Sequence, residues 1–172
     1  LLRSGMLHFL HLDVPFEYDR MLVIDPALYR QLPPPSEGAA AEMVNELTER
    51  IRHFPGVNSV TYCNPRPFHR FFPYQIVGTD LQIHPRWVAS SYFAFMQLRL
   101  LNGRAFMLGE KNVAIIDRAA AQTIWKGEDP VGKSIEMSST HGALGAERRV
   151  IIGVVDDSRA FHVMAPNVLE IY

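Results

Sequence analysis

The sequence predicts an α+β fold made of two small α/β subdomains, a βαβ layer over residues 17–64 and a mixed-sheet layer over 65–172. Three observations lead there. Apolar residues recur at helical spacing at Met43, Val44, Leu47 and Ile51, and the run RAAAQTIW at 118–125 is built of helix formers. Short apolar or alternating runs, bounded by Gly, Pro and Asn, lie before, between and after these segments, which is the pattern of strands. A stretch rich in proline and phenylalanine, NPRPFHRFFP at 64–73, separates the first strand, helix and strand from everything that follows.

In chain order, residues 1–14 place Leu2, Met6, Phe9, Leu10 and Asp13 on roughly one helical face, and Pro15 ends the helix. The apolar share of that segment is high, so it requires a partner surface. His8 and His11 are three residues apart, yet a metal site needs further ligands that the sequence does not supply nearby. MLVID at 21–25 is a short apolar strand, and QLPPPSEG is a stiff, extended linker. Ser36 caps a helix carrying the Met43–Ile51 stripe, whose solvated side holds Glu42, Glu46, Glu49, Arg50 and Arg52. Pro55-Gly56 ends it, and VNSVTYC at 57–63 is the strand that returns, completing a right-handed βαβ unit.

The second layer opens with the strand YQIVG at 74–78. Ser90 caps a helix of one to two turns with Tyr92, Phe93, Phe95 and Met96, an aromatic cluster of core type. Asn102-Gly103 signals a tight turn. NVAII at 112–116 is a central strand, and Asp117 caps the helix that ends at Gly127. SIEMSS at 134–139 alternates as a strand, HGALGAE at 141–147 is a loop, and RVIIGVV at 149–155 and VLEIY at 168–172 are further strands.

Residues 127–134, GEDPVGKS, match the spacing of a phosphate-binding loop, with Gly132, Lys133 and Ser134 as its nominal ligands. Such a loop must leave a strand and open a helix, so that backbone amides and the positive helix end meet the phosphates. Here a helix precedes and a strand follows, so the carbonyl end of the helix faces the loop, and Pro130 removes an amide. The stretch reads as a helix-to-strand turn.

Read in that way, V-x-x-x-YF-x-x-M-x-x-x-LLNGRAF, NVAIIDRAAAQTIWKGEDPVGKSI and VIIGVVDDSR together resemble the extracytoplasmic core domain of MacB-type ABC transporter permeases. The flanks LLRSGMLHFLHLDVPFEYDRMLVID and HFPGVNSV are similar to the segment leaving that family's first membrane helix and to its helix-to-strand junction. The resemblance implies that residues 1–16 are a stalk below a membrane helix, and that a second βαβ unit beyond residue 172 normally completes the first layer. It also implies a place at the bacterial inner membrane, facing the periplasm or cell exterior. The partners it implies are a second permease subunit, a cytoplasmic ATP-binding subunit or domain and a periplasmic adaptor or lipoprotein. The domain itself would transmit ATP-driven motion and contact cargo or a partner during export, without catalysis.

Composition is compatible with that and excludes other classes. At 172 residues the chain suffices for one core or two small ones, and its formal net charge of −1 does not suit a nucleic-acid surface. Its one cysteine, Cys63, permits no internal disulfide and reads as a small core residue at a strand end. No run of 18 apolar residues is present, so the membrane helices that the resemblance implies are expected outside this sequence. Asp156 and Asp157 follow a strand but point to opposite sides of extended backbone, and no nucleophile, base or metal cluster accompanies them. The sequence offers no active site and calls for no cofactor or metal. Two other functions remain open: a nucleotide-binding enzyme using Gly132, Lys133 and Ser134, and a free-standing interaction module.

Overall fold

A computed structural model of the chain describes residues 20–24, 37–64, 72–107, 109–140, 145–157 and 168–172. The expected N-terminal helix with His8 and His11, the 33–35 proline run, the Ser36 cap and most of the 64–73 and 141–147 stretches lie outside the described residues.

Helix α1, Glu37–Arg52, carries half-buried Val44, Leu47 and Ile51, while Glu46–Arg50 and Glu49–Arg52 ion pairs occupy its solvent side. It ends ahead of Pro55, and Gly56 takes the left-handed conformation with φ 85°. Where periodicity predicts strands over 21–25 and 57–63, a ladder forms only at β1, Cys63–Asn64, which pairs antiparallel with β4, Trp87–Val88. Residues 21–24 have no ladder partner among the described residues, and Leu22 is 82% exposed. A short apolar run becomes a strand only where a neighbour satisfies its backbone groups.

The rest is organised by β8, Glu147–Val155. Val150 faces both Val113 of β6 (Val113–Asp117) and Ser134 of β7 (Ser134–Ser139), so those strands lie on opposite edges of β8. Val155 likewise faces both Asp117 and Leu100 of β5, Leu100–Gly103. One edge of β8 therefore pairs with β6, while the other passes from β7 to β5. From β6 the ladder continues through β9 (Glu170–Ile171), β3 (Gln82–Pro85) and β2 (Tyr74–Ile76) to β7, and so back to β8. Six strands close a small mixed barrel, with parallel pairing at β6–β8 and β3–β9 and antiparallel pairing elsewhere.

A bulge lets β8 serve two cores. Ala114 pairs with Ile151 but Ile115 with Gly153, so Ile152 is an extra residue that resets the alternation. Ile151 and Val154 pack with Ile83, Ala114 and Ile116 in one core, against which α3, Arg118–Trp125, lays Ala120, Ile124 and Trp125. Ile152 and Val155 pack with Ile115, Tyr92, Phe93, Met96 and Tyr172 in the other. The expected Asn102-Gly103 turn is instead the end of β5. Gly103 has φ 75°, and a Cβ there would collide with the Ile152 carbonyl beside it, so glycine is needed for approach as well as for φ. The short helix α2, Tyr92–Phe95, starts from Ser91 rather than Ser90, and Ser91 makes no side-chain cap. Its hydroxyl lies 3.0 Å from Thr61 Oγ1 instead.

A buried ion pair lies beside the second core, next to Tyr92 and Tyr172. Arg86, 3% exposed, donates from Nη2 to Glu170 Oε1 at 3.2 Å, and Glu170 is 1% exposed. The Tyr172 hydroxyl donates to the other carboxylate oxygen at 2.7 Å, and the Arg86 amide donates to the Ile171 carbonyl at 2.8 Å. Removing one member of a buried pair strands the other charge, whereas an apolar replacement of both is far cheaper. Arg86→Met is therefore expected to cost about 3–5 kcal/mol in urea unfolding, and Arg86→Met with Glu170→Met to recover most of that loss. A double variant no more stable than the single one would show that the two charges are not coupled.

Candidate functional site

At one end the barrel is covered by α3, and its N-terminal turn is already supplied with carboxylates. Asp117, fully buried, accepts from the Ala120 amide at 2.8 Å, and Asp157 accepts from the Ala119 amide at 2.9 Å. Asp156 turns the other way, to Arg118 at 2.8 Å and Arg99 at 3.5 Å. The two aspartates thus bind separate groups and form no acid pair.

The helix ends at Lys126, which is left-handed with φ 47°, followed by Gly127 with φ 96°. The sequence 127–134 then passes into β7, in the order helix, turn, strand. Its amides are engaged: Gly132 donates to the Ile151 carbonyl at 2.8 Å, Lys133 to Pro130 at 3.0 Å, and Val131 to the Asp129 side chain at 2.9 Å. The Lys133 ammonium pairs with Glu128, which holds that carboxyl below its ordinary range. Ser134 opens β7. This is a sheet-bound turn, and Gly132, Lys133 and Ser134 are not arranged around an anion.

The opposite end of the barrel is open. A cleft of about 330 Å³ takes wall residues from every strand of the circuit: Tyr74 of β2, Pro85 of β3, Ala114 of β6, Met137 of β7, Arg149 of β8 and Ile171 of β9. Trp87 and Val88 of β4 flank it on one side, and the loop carrying Phe106, Met107 and Glu110 on another. Arg86 and Tyr172 line it beside their buried ion pair. Arg104 clamps Glu110 with two hydrogen bonds, at 2.6 and 2.8 Å, and the Met107 amide donates to the same carboxylate at 2.8 Å. These contacts, the Arg104 bonds first, pull Glu110 down to about 2. Glu147 and Arg149 pair at 2.7 Å on the far side.

The phenols below are held neutral. Burial raises Tyr92 and Tyr172, with Glu170 adding to the rise at Tyr172. Cys63 is half-buried, not fully buried as its strand-end position suggested, and burial raises its thiol against the opposing pull of Arg86. It is a poor nucleophile in that state. Among the described residues no group of three His, Cys, Asp or Glu could hold a metal. Sequence reasoning missed Arg86, Trp87, Met107 and Arg149 as neighbours. The available signal was a charged residue, Arg86, set in the otherwise strand-like run QIHPRWV.

Comparison with known proteins places this architecture. The family model described as MacB-like periplasmic core domain matches residues 3–169. Among solved structures, the chain is similar to the periplasmic region of MacB from Actinobacillus actinomycetemcomitans at 16% identity and TM-score 0.51, covering 73% of this chain and 53% of that one. It is also similar to the extracellular domain of the noncanonic ABC-type transporter YknZ from Gram-positive bacteria, at 19% identity and TM-score 0.54, covering 74% and 59% respectively. The chain thus spans between half and three-fifths of those two chains, and at these identities the likeness is one of fold. No curated protein matches it.

Two measurements follow from this geometry. Glu110 is depressed in the folded state from 4.5 to about 2, so its contribution is fully present above the ordinary Glu range and is lost as pH falls toward 2. A carboxyl carbon NMR titration should place its midpoint near 2, rising toward the ordinary range in Arg104→Ala; the same midpoint in both proteins would contradict the clamp. Because the turn amides are engaged, Mg-ATP should leave the melting temperature unchanged, in the parent and in Lys133→Ala alike, since only a ligand that binds the native state raises it. A nucleotide-dependent rise lost in Lys133→Ala would restore the phosphate-loop reading.

Proposed function

The chain belongs to the MacB-like periplasmic core domain family, and on that premise we propose that it is the extracytoplasmic domain of an export permease that moves in response to ATP hydrolysed elsewhere. The observation that carries this reading is the family match across residues 3–169. In it, residues 1–16 are the stalk, 17–64 and 65–172 the two layers, and the domain contacts cargo, a periplasmic adaptor or a lipoprotein. A second permease subunit and a cytoplasmic ATP-binding subunit or domain complete the machine.

The physical properties of the barrel support such a role. A closed ladder has no free internal edge to slip, and the Arg86–Glu170 pair ties β9 to the β3–β4 corner, so a force applied to one side is carried to the other with little deformation. The β1–β4 ladder, Cys63↔Val88 and Asn64↔Trp87, joins the segment after α1 to the barrel. A domain with these properties transmits displacement as a rigid body. The anion-binding features that an ATPase needs are occupied by its own side chains and carbonyls, at Asp117, Asp157 and Ile151.

The test uses the assembled transporter in lipid, with Cys63→Ser and one fluorophore per permease subunit at Val77→Cys, an exposed turn position after β2. ATP is expected to change the energy transfer between the two labels, and a hydrolysis-defective ATP-binding subunit to abolish the cycling. An inter-label distance constant through the nucleotide cycle would refute motion transmission.

A further inference from the structure

The open end of the barrel is concave, and its volume of about 330 Å³ lies within the range of small-molecule sites, which begins near 300 Å³. Its wall is mainly apolar: Trp87, Val88, Phe106, Met107, Met137 and Tyr172 converge on it from β4, the 104–110 loop, β7 and the chain end. Trp87 is 42% exposed and Met107 59%, so two large apolar side chains on the flanks of one cleft are left in water. Covering them is favourable in proportion to the apolar area removed. Met107 and Met137 add unbranched, polarisable thioethers that adapt to irregular shapes and pack against aromatic rings.

Charge decides what kind of molecule suits the space. Among the described residues, the ionised groups around the cleft form three closed pairs, Arg86 with Glu170, Arg104 with Glu110 and Arg149 with Glu147. Each of these cations is matched by an anion, so the described wall carries no net charge. A charged ligand would have to break one of these pairs or be buried without a partner, and either is costly. An uncharged apolar body displaces water from Trp87 and Met107 and leaves all three pairs intact.

The geometry points to the barrel mouth as a binding site for a small, uncharged, predominantly apolar molecule, seated between Trp87 and Met107 above Met137 and Tyr172. This assignment goes beyond the transporter reading and stands on the cleft alone.

The experiment titrates the neutral fluorescent amine N-phenyl-1-naphthylamine into the chain. Saturable enhancement is expected. Met107→Asp should weaken binding about tenfold or more, and Trp87→Gln, on a different lining element, should repeat the loss. Val77→Asp, at a comparably exposed apolar position that does not line the cleft, should leave the affinity unchanged. The sulfonated analogue 1-anilinonaphthalene-8-sulfonate should bind about tenfold more weakly than the neutral amine. All three substituted side chains are exposed, and superimposable far-UV circular dichroism confirms the fold. The proposal is overturned by absence of saturable binding, by equal losses in Met107→Asp and Val77→Asp, or by tighter binding of the sulfonate.

Discussion

The buried Arg86–Glu170 pair is the constraint on which the other features depend. Both groups are almost completely withdrawn from water, and burial alone would depress Arg86; Glu170, followed by Tyr92, Tyr172 and Cys63, more than reverses that effect. Such a pair contributes little net stability, because desolvation offsets most of the attraction. What it does supply is uniqueness. Glu170 lies in a two-residue strand, β9, which is held only by short ladders to β3 and β6. If β9 slipped by one residue, side chains would exchange faces, the carboxylate would leave Arg86, and both charges would be stranded in apolar surroundings. The ion pair penalises every register but one, and the closure of the barrel depends on that register.

The same economy appears in β8. A strand that borders two cores must show apolar side chains on both faces, and an uninterrupted alternation would serve each with every second residue. The extra residue at Ile152 breaks the period, so Ile151 and Val154 reach one core while Ile152 and Val155 reach the other. Gly153 and Gly103 lie in the β5–β8 pairing next to this bulge, where each would have its missing Cβ within contact of the opposing backbone. The run VIIGVV therefore encodes a bulged central strand, with glycine placed where two backbones converge.

Much of this was legible because it is local. The Asp117 cap, the helix RAAAQTIW, the alternating SIEMSS and the apolar runs at 112–116 and 149–155 all rest on periodicity or capping chemistry within a few residues, and the structure realises each one to within a residue or two. The misses are non-local. Through Leu81 and into β3 the apolar positions alternate as Leu81, Ile83 and Pro85, but Pro85 argues against a strand until its place at the strand end is known. Asn102-Gly103 has the chemistry of a tight turn, and only the approach of Ile152 shows why glycine is required inside a strand. Closure of the sheet, and with it the cleft, is a property of β7 meeting β8 after β2 has met β7. No window of sequence contains that information.

The two ends of the barrel show how similar inventories lead to opposite consequences. Each end carries acidic and basic groups together with apolar walls. At the α3 end, Asp117 and Asp157 are spent on helix amides and Asp156 on Arg118, while Ala120, Ile124 and Trp125 cover the core. At the other end the ionic groups are spent on one another, and no helix of the described residues covers the wall. At the mouth, neutralised charge and exposed apolar side chains come together in one cleft of the described residues. A lone exposed Val77 or Phe54 has no such surroundings and needs no explanation. Trp87 and Met107 do, because both are large, exposed apolar side chains that line the same concavity. The letters of a phosphate loop point to the wrong end of the molecule, since its amides were already committed when the sheet closed, and the same closure created the cavity at the other end.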